Sequence, residues 1–138
     1  MKFPYVKLRH KDPQQKYIHS PWIPINFQAH DENYEIFALV DSGADYCIFD
    51  GSVARFLEIN VVSGQIRRTG GLSGSSNVYY FDNIRINIGG HHAKVIAGFV
   101  PGLLADGSLS GILGRQGFFE HFKVCIDEKR KEIELKPI

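Results

Sequence analysis

Five consecutive residues combine two carboxylates with the small side chains that a sharp turn needs. Residues 41–45 read Asp-Ser-Gly-Ala-Asp and directly follow an apolar run over residues 36–40. A carboxyl group at the end of a buried run is partly removed from water, which shifts its proton affinity. Glycine and alanine let a second backbone approach closely. This pattern suits an acid or base catalyst at Asp41, although a simple turn capped by aspartate has the same sequence.

Two further segments follow the Asp41 motif, and their order along the chain narrows the possible functions of that motif. Residues 110–115 read Ser-Gly-Ile-Leu-Gly-Arg, and between the two motifs residues 69–77 read Thr-Gly-Gly-Leu-Ser-Gly-Ser-Ser-Asn. Each segment alone is common, and the glycine-rich one is typical of any flexible hairpin. In this order and at this spacing, however, the three together resemble the retropepsin family, the retroviral-type aspartic proteases. The resemblance extends over roughly residues 36–122.

The resemblance implies both a fold and a reaction. The fold is a closed β-barrel with a flap hairpin and one or two short helices, acting as a homodimer. The reaction is that of an aspartic endopeptidase, which needs no metal or other cofactor. One group must take a proton from water and another must give a proton to the leaving nitrogen. Two carboxyl groups about 3 Å apart share one proton and supply both functions.

The chain has a single Asp-Ser-Gly motif, so the second carboxyl group must come from elsewhere. Asp106 is the alternative within the chain, but there the order is Asp-Gly-Ser and the surrounding residues read as a loop. A twofold dimer in which Asp41 meets its symmetry mate is the consistent interpretation, and such dimers are the commonest oligomers. In retroviral enzymes the two termini interleave into a dimer sheet. Residues 1–20 look too irregular for that, so the construction of the dimer stays open.

The resemblance also implies roles for the residues around Asp41. Ser42 would link the two active-site loops across the dimer axis, Gly43 would present its backbone to substrate and Ala44 would leave room for it. Asp45 would pair with Arg115, a contact that is otherwise an ordinary surface ion pair worth less than ~1 kcal/mol. The remaining assignments are to the flap and the apolar subsites: Gly70, Gly71, Leu72, Ser73, Gly74 and Ile112. Leu72 and Ile112 are equally consistent with a place in the core.

Apolar periodicity predicts an all-β chain. We expect strands over residues 21–28 and 34–40, the second buried on both faces, and two hairpins over 84–100 and 122–135. Short helices are expected over 52–57, with Ser52 as the N-cap, and over 116–122.

Composition limits the possible partners. The 138 residues carry a formal net charge of +1, with basic and acidic side chains spread evenly along the chain. No basic surface for nucleic acid or a membrane is expected.

We expect an N-terminal arm over 1–20 that is mobile, a single protease domain over 21–138, and two free buried thiols, Cys47 and Cys125. The expected partners are a second copy and a peptide or protein substrate, in a soluble cytoplasmic protein or a domain excised from a longer one. The alternative function is a catalytically silent dimerisation or peptide-binding module.

Overall fold

The computed structural model describes residues 1–9, 14, 16–69, 76–103 and 110–138. Strands dominate these residues, and one short α-helix, α1 (Gly51–Phe56), follows the sixth strand. The strands are β1 (Lys2–Pro4), β2 (Val6–Arg9), β3 (Tyr17–Ser20), β4 (Trp22–Ala29), β5 (Glu32–Val40), β6 (Cys47–Asp50), β7 (Gln65–Thr69), β8 (Ser76–Ile88), β9 (His91–Val100), β10 (Gly111–Leu113), β11 (Phe122–Asp127) and β12 (Glu132–Pro137). The predicted all-β class is confirmed.

Six of the strands form a closed barrel. Their order is β4-β5-β10-β6-β9-β8, and β4 pairs with β8 through Asn26 and Asn87 to close the ring. β7 lies outside the ring and extends the sheet from β8. Closure leaves no unpaired edge within the ring, because every strand has two neighbours. The predicted barrel is therefore confirmed.

Alternation along the strands fills the barrel with aliphatic and aromatic side chains. Residues on one face of each strand point inward, and the larger ones are fully buried. This interior includes Ile23, Ile25, Phe27, Phe49, Ile86, Ile88, Phe99 and Leu113. Removal of this apolar surface from water is the main stabilising contribution, and it fixes the strand ends that position the loops.

The chain termini form a second, three-stranded sheet with the order β1-β12-β11. Lys2 pairs with Glu134, and the short β2–β3 hairpin follows β1. The expectation that residues 1–20 are irregular was wrong for residues 2–9 and 17–20. β1 depends on pairing with β12 at the other end of the chain, whereas β2 and β3 pair with each other as a local hairpin whose strands have only four residues each. The proposed boundary between an arm and a protease domain at residue 20 stays a prediction.

Several local predictions need correction. Residues 36–40 are not buried on both faces, since Phe37 is 42% exposed while its neighbours Ile36 and Ala38 are buried. The N-cap of α1 is Asp50 rather than Ser52, because the Asp50 carboxylate accepts the Ser52 N–H at 2.9 Å. Residues 117–121 form turns instead of a helix, and Gly117 has a φ of +107°, which an α-helix does not allow.

The two cysteines are free, but only one is buried. Cys47 lies in the barrel core, where burial raises the pKa of its thiol to about 11. Cys125 is exposed on β11, so the expectation that both thiols are buried was wrong for this residue. Among the described residues, no helix is long and apolar enough to cross a membrane.

Tyr5 ties the N-terminal segment to the β11–β12 turn. Its N–H donates to the Lys131 carbonyl at 2.8 Å, and its hydroxyl donates to Glu128 Oε2 at 3.0 Å. Burial of the tyrosine, followed by this hydrogen bond, raises the pKa of Tyr5 to about 12. On Glu128, Lys131 and then Tyr5 donate hydrogen bonds that lower the pKa of the carboxyl group.

Replacing Tyr5 with Phe tests this contact. We expect Tyr5→Phe to lower the free energy of unfolding by about 1 kcal/mol at pH 7, the usual contribution of one hydrogen bond. Because the pKa of Tyr5 is raised from 10.0 to about 12, its stabilisation is present below pH 10 and is lost as the pH rises towards 12. The deficit of the variant should therefore shrink above pH 10 in urea unfolding. Tyr17→Phe, at an exposed tyrosine, is the control, and a deficit that stays constant up to pH 12 would contradict the account.

Candidate active site

The end of β5 positions the Asp41 carboxyl group. The Asp41 N–H donates to the Leu113 carbonyl at 3.1 Å, which continues the β5–β10 pairing by one more residue. The Gly43 N–H then donates to Asp41 Oδ1 at 2.8 Å, and the Ala44 N–H donates to the Asp41 carbonyl at 3.2 Å. Asp41 is half-buried, whereas Ser42 and Gly43 are exposed. The carboxyl group is thus held by backbone on one side and reached by solvent on the other.

The two sequence motifs come together because β10 passes between β5 and β6. Ile112 pairs with Leu39 in parallel and with Ile48 in antiparallel orientation. At the end of β10, a Cβ added to Gly114 would overlap the backbone of Tyr46. Glycine is therefore required at Gly114 for the two segments to approach this closely. A chance Asp-Ser-Gly turn remote from residues 112–114 is excluded by this arrangement.

The expected Asp45–Arg115 contact is present as an ion pair. Arg115 Nη2 contacts Asp45 Oδ1, and Nη1 donates to the Ser42 carbonyl at 3.2 Å. The backbone adds two hydrogen bonds. The Arg115 N–H donates to the Ala44 carbonyl at 2.9 Å, and the Gln116 N–H donates to the Asp45 carbonyl at 2.8 Å. Both charged side chains are more than half exposed, so the pair itself adds little to stability. Its consequence is geometric, since it fixes the loop that carries Asp41.

An apolar row lies beside the site on the sheet face that points away from the barrel core. Residues paired across neighbouring strands share a face, which aligns Leu39, Ile112 and Ile48. Ile48 packs with Val78, Tyr80 and Val100 in a cluster separate from the barrel interior. Ile112 was assigned to this region from sequence, but Leu39 and Ile48 were missed. Both lie in continuously apolar runs, where alternation does not show which residue faces outward.

Some of the assigned residues lie outside the described part of the chain. These are the flap residues Gly70, Gly71, Leu72, Ser73 and Gly74, together with the alternative carboxylate Asp106. The strands that flank the flap segment are paired up to Thr69 and Ser76. The flap assignment and the role of Ser42 across a dimer axis therefore stay predictions.

Comparison with known proteins agrees with this geometry. A family model described as aspartyl protease matches residues 28–116, which include both motifs. No curated protein sequence matches the chain. Among solved structures, the retroviral protease-like domain of Ddi1 from Leishmania major superposes with a TM-score of 0.58 and 18% identity, covering 86% of this chain and 90% of that one. At this identity the likeness establishes the fold alone. The family match and the shared fold lead to one conclusion: the chain belongs to the aspartyl protease family and has the retropepsin-like fold.

Proposed function

We propose that the chain is an aspartic endopeptidase whose catalytic dyad is Asp41 from each of two subunits. The observation that carries the proposal is the position of the Asp41 carboxyl group, which is oriented by the Gly43 N–H at 2.8 Å and lies next to Leu113 of β10. The carboxyl group is half-buried and open on one side. Two carboxyl groups that share one proton must each be held in position and be open towards the other. The Asp41 carboxyl group has this arrangement.

In the proposed reaction the two Asp41 side chains hold one proton and one water molecule between them. The ionised carboxylate takes a proton from the water as its oxygen attacks the scissile carbonyl carbon. The protonated carboxyl group gives its proton to the carbonyl oxygen, which yields a tetrahedral diol. Return of a diol proton to one carboxylate and transfer of the other carboxyl proton to the amide nitrogen break the C–N bond. The products are a carboxylic acid and an amine, and the dyad returns with one proton.

The proposed substrate is an extended peptide. Its side chains would contact Leu39, the half-buried member of the apolar row beside the Asp41 loop, whereas Ile112 and Ile48 are buried and would support this subsite from within the chain. Its backbone would add strand-like hydrogen bonds to the flap over residues 70–74. Asp45 and Arg115 would act as positioning residues that hold the loop, and Ala44 would leave space for the peptide.

The terminal sheet offers a surface for the second subunit. β12 already pairs on both sides, so the free edges of this sheet within the described chain are β1 and β11. β1 has three residues and includes Pro4, which has no N–H to donate, whereas β11 has six residues. Ile126 on β11 is 45% exposed although its partner Ile133 is fully buried. We infer that β11 pairs with its symmetry mate, giving a six-stranded sheet without interleaved termini.

The alternative is a dimerisation or peptide-binding module without turnover. It shares every binding feature of the enzyme and differs only in chemistry. The aspartate at position 41, with its backbone donor, favours the enzyme.

Replacing Asp41 with Asn tests the catalytic assignment. We expect Asp41→Asn to lower the rate of peptide cleavage by about 10²–10⁴-fold or more, since an amide cannot exchange the proton. The fold should be retained because the two side chains have the same shape. Cleavage of a peptide mixture, followed by mass spectrometry, measures the rate. Asp31→Asn, at an exposed turn residue, is the control, and cleavage by Asp41→Asn at the wild-type rate would refute the dyad.

Placing a charge on the β11 edge tests the proposed dimer surface. We expect Ile126→Asp to weaken association at least about tenfold, because like charges would face each other across the twofold axis. Sedimentation over a dilution series measures the monomer–dimer equilibrium, and circular dichroism checks the fold. Ile18→Asp, at a residue that is 44% exposed on β3, is the matched control. Equal dimerisation of the two variants would exclude β11 as the interface.

A further inference from the structure

A polar pocket next to the Asp41 loop is not used by the proposed reaction. It has a volume of about 280 Å³, and its lining includes Tyr46, Gln65, Arg67, Tyr80, Asp82 and Gln116. Tyr46 and Gln116 directly follow the ion-paired residues Asp45 and Arg115, and they form an isolated β-bridge with each other. The pocket is therefore adjacent to the catalytic loop. Its volume lies below the roughly 300–1,000 Å³ of most small-molecule sites, which suits a single side chain.

Two tyrosine rings hold Arg67 in this pocket. Its guanidinium carbon lies 5.5 Å from the centre of the Tyr46 ring and 5.4 Å from that of Tyr80. Both distances are within the ~6 Å at which a cation is attracted to an aromatic face. Arg67 Nη1 also donates to the Tyr46 hydroxyl at 3.0 Å. The side chain is thus oriented before any ligand arrives, which lowers the entropy lost on binding.

The guanidinium group keeps most of its hydrogen-bonding capacity. It has five N–H donors, and within the described part of the chain its one hydrogen bond goes to Tyr46, with no ion pair to a carboxylate. Arg67 is exposed, so a ligand can reach it. The amide groups of Gln65 and Gln116 add neutral donors to the same lining.

The hydroxyl group of Tyr80 is a further donor in the pocket. Burial raises the pKa of Tyr80, and Arg67 acts in the opposite direction. The hydroxyl therefore stays protonated at neutral pH and can donate to an anionic ligand. The negative charge of Asp82 disfavours the binding of an anionic ligand, but this side chain is exposed and water screens its charge.

We propose that this pocket binds a glutamate or aspartate side chain of the peptide substrate, with Arg67 pairing to its carboxylate. A planar guanidinium group binds a carboxylate through two parallel hydrogen bonds, which lysine cannot do. The inference rests on the proposed function, because the ligand is the peptide brought to Asp41. It adds a specificity residue, Arg67, on the strand β7 that leads into the flap segment.

The first readout is binding, which does not depend on cleavage. The full chain carrying Asp41→Asn is incubated with a pool of randomised octapeptides, and the bound peptides are quantified by mass spectrometry. We expect about tenfold enrichment of Glu and Asp over Gln and Asn at one peptide position. Adding Arg67→Gln should abolish the enrichment, and adding Asp82→Asn should strengthen it. Arg85→Gln removes an exposed charge elsewhere, on β8, and should leave it unchanged.

The second readout is cleavage by the chain with Asp41 intact. A peptide with Glu at the enriched position should have a higher kcat/KM than its Gln counterpart, and Arg67→Gln should remove this difference. Acidic enrichment without any cleavage would refute the proposed function and leave this inference standing. Cleavage with no acidic preference, or a preference that survives Arg67→Gln, would overturn this inference alone. If no peptide is bound and none is cleaved, both the proposed function and this inference are refuted.

Discussion

The passage of β10 between β5 and β6 is the constraint on which the site depends. β10 has only three residues, and it pairs with both neighbours at once. Glycine at each end makes the fit possible: a Cβ at Gly111 would lie 2.7 Å from the Phe49 ring, and one at Gly114 would overlap the Tyr46 backbone. The Leu113 carbonyl then accepts the Asp41 N–H. Without β10 between β5 and β6, the Asp41 N–H would lose this acceptor and the Asp41 carboxyl group would have no fixed position.

Stability and function are divided between different parts of the molecule. The closed ring of strands and its apolar interior provide the stability, whereas the Asp41 loop is exposed and held by a few backbone bonds and the Arg115 side chain. Loops on a rigid scaffold can present polar groups without weakening the core. The Arg67 pocket lies beside the Asp41 loop, where side chains of β7 and β8 meet Tyr46 and Gln116.

Features marked by a motif or by a long apolar alternation could be predicted from the sequence, whereas short strands, caps and special backbone conformations could not. The Asp41 loop, the Gly114 motif and the two hairpins are local, and all were found. β1 was missed because Lys2 pairs with Glu134, at the other end of the chain. The helix expected over 116–122 fails at Gly117, whose positive φ does not show in an apolar pattern. The Arg67 pocket combines residues from separate segments, so no single motif could have indicated it.

The proposed mechanism requires Asp41 from two chains in each active site. Mixing subunits tests this claim directly: the wild-type amount is held constant while chain carrying Asp41→Asn is added and allowed to exchange. Because the substitution keeps the side-chain shape, the two chains should pair at random. Peptide cleavage should then fall to about half at equal amounts and to about one tenth at tenfold excess of the variant, the fraction of wild-type chains that meet each other. Cleavage that stays constant as the variant is added would show that one chain carries a complete site.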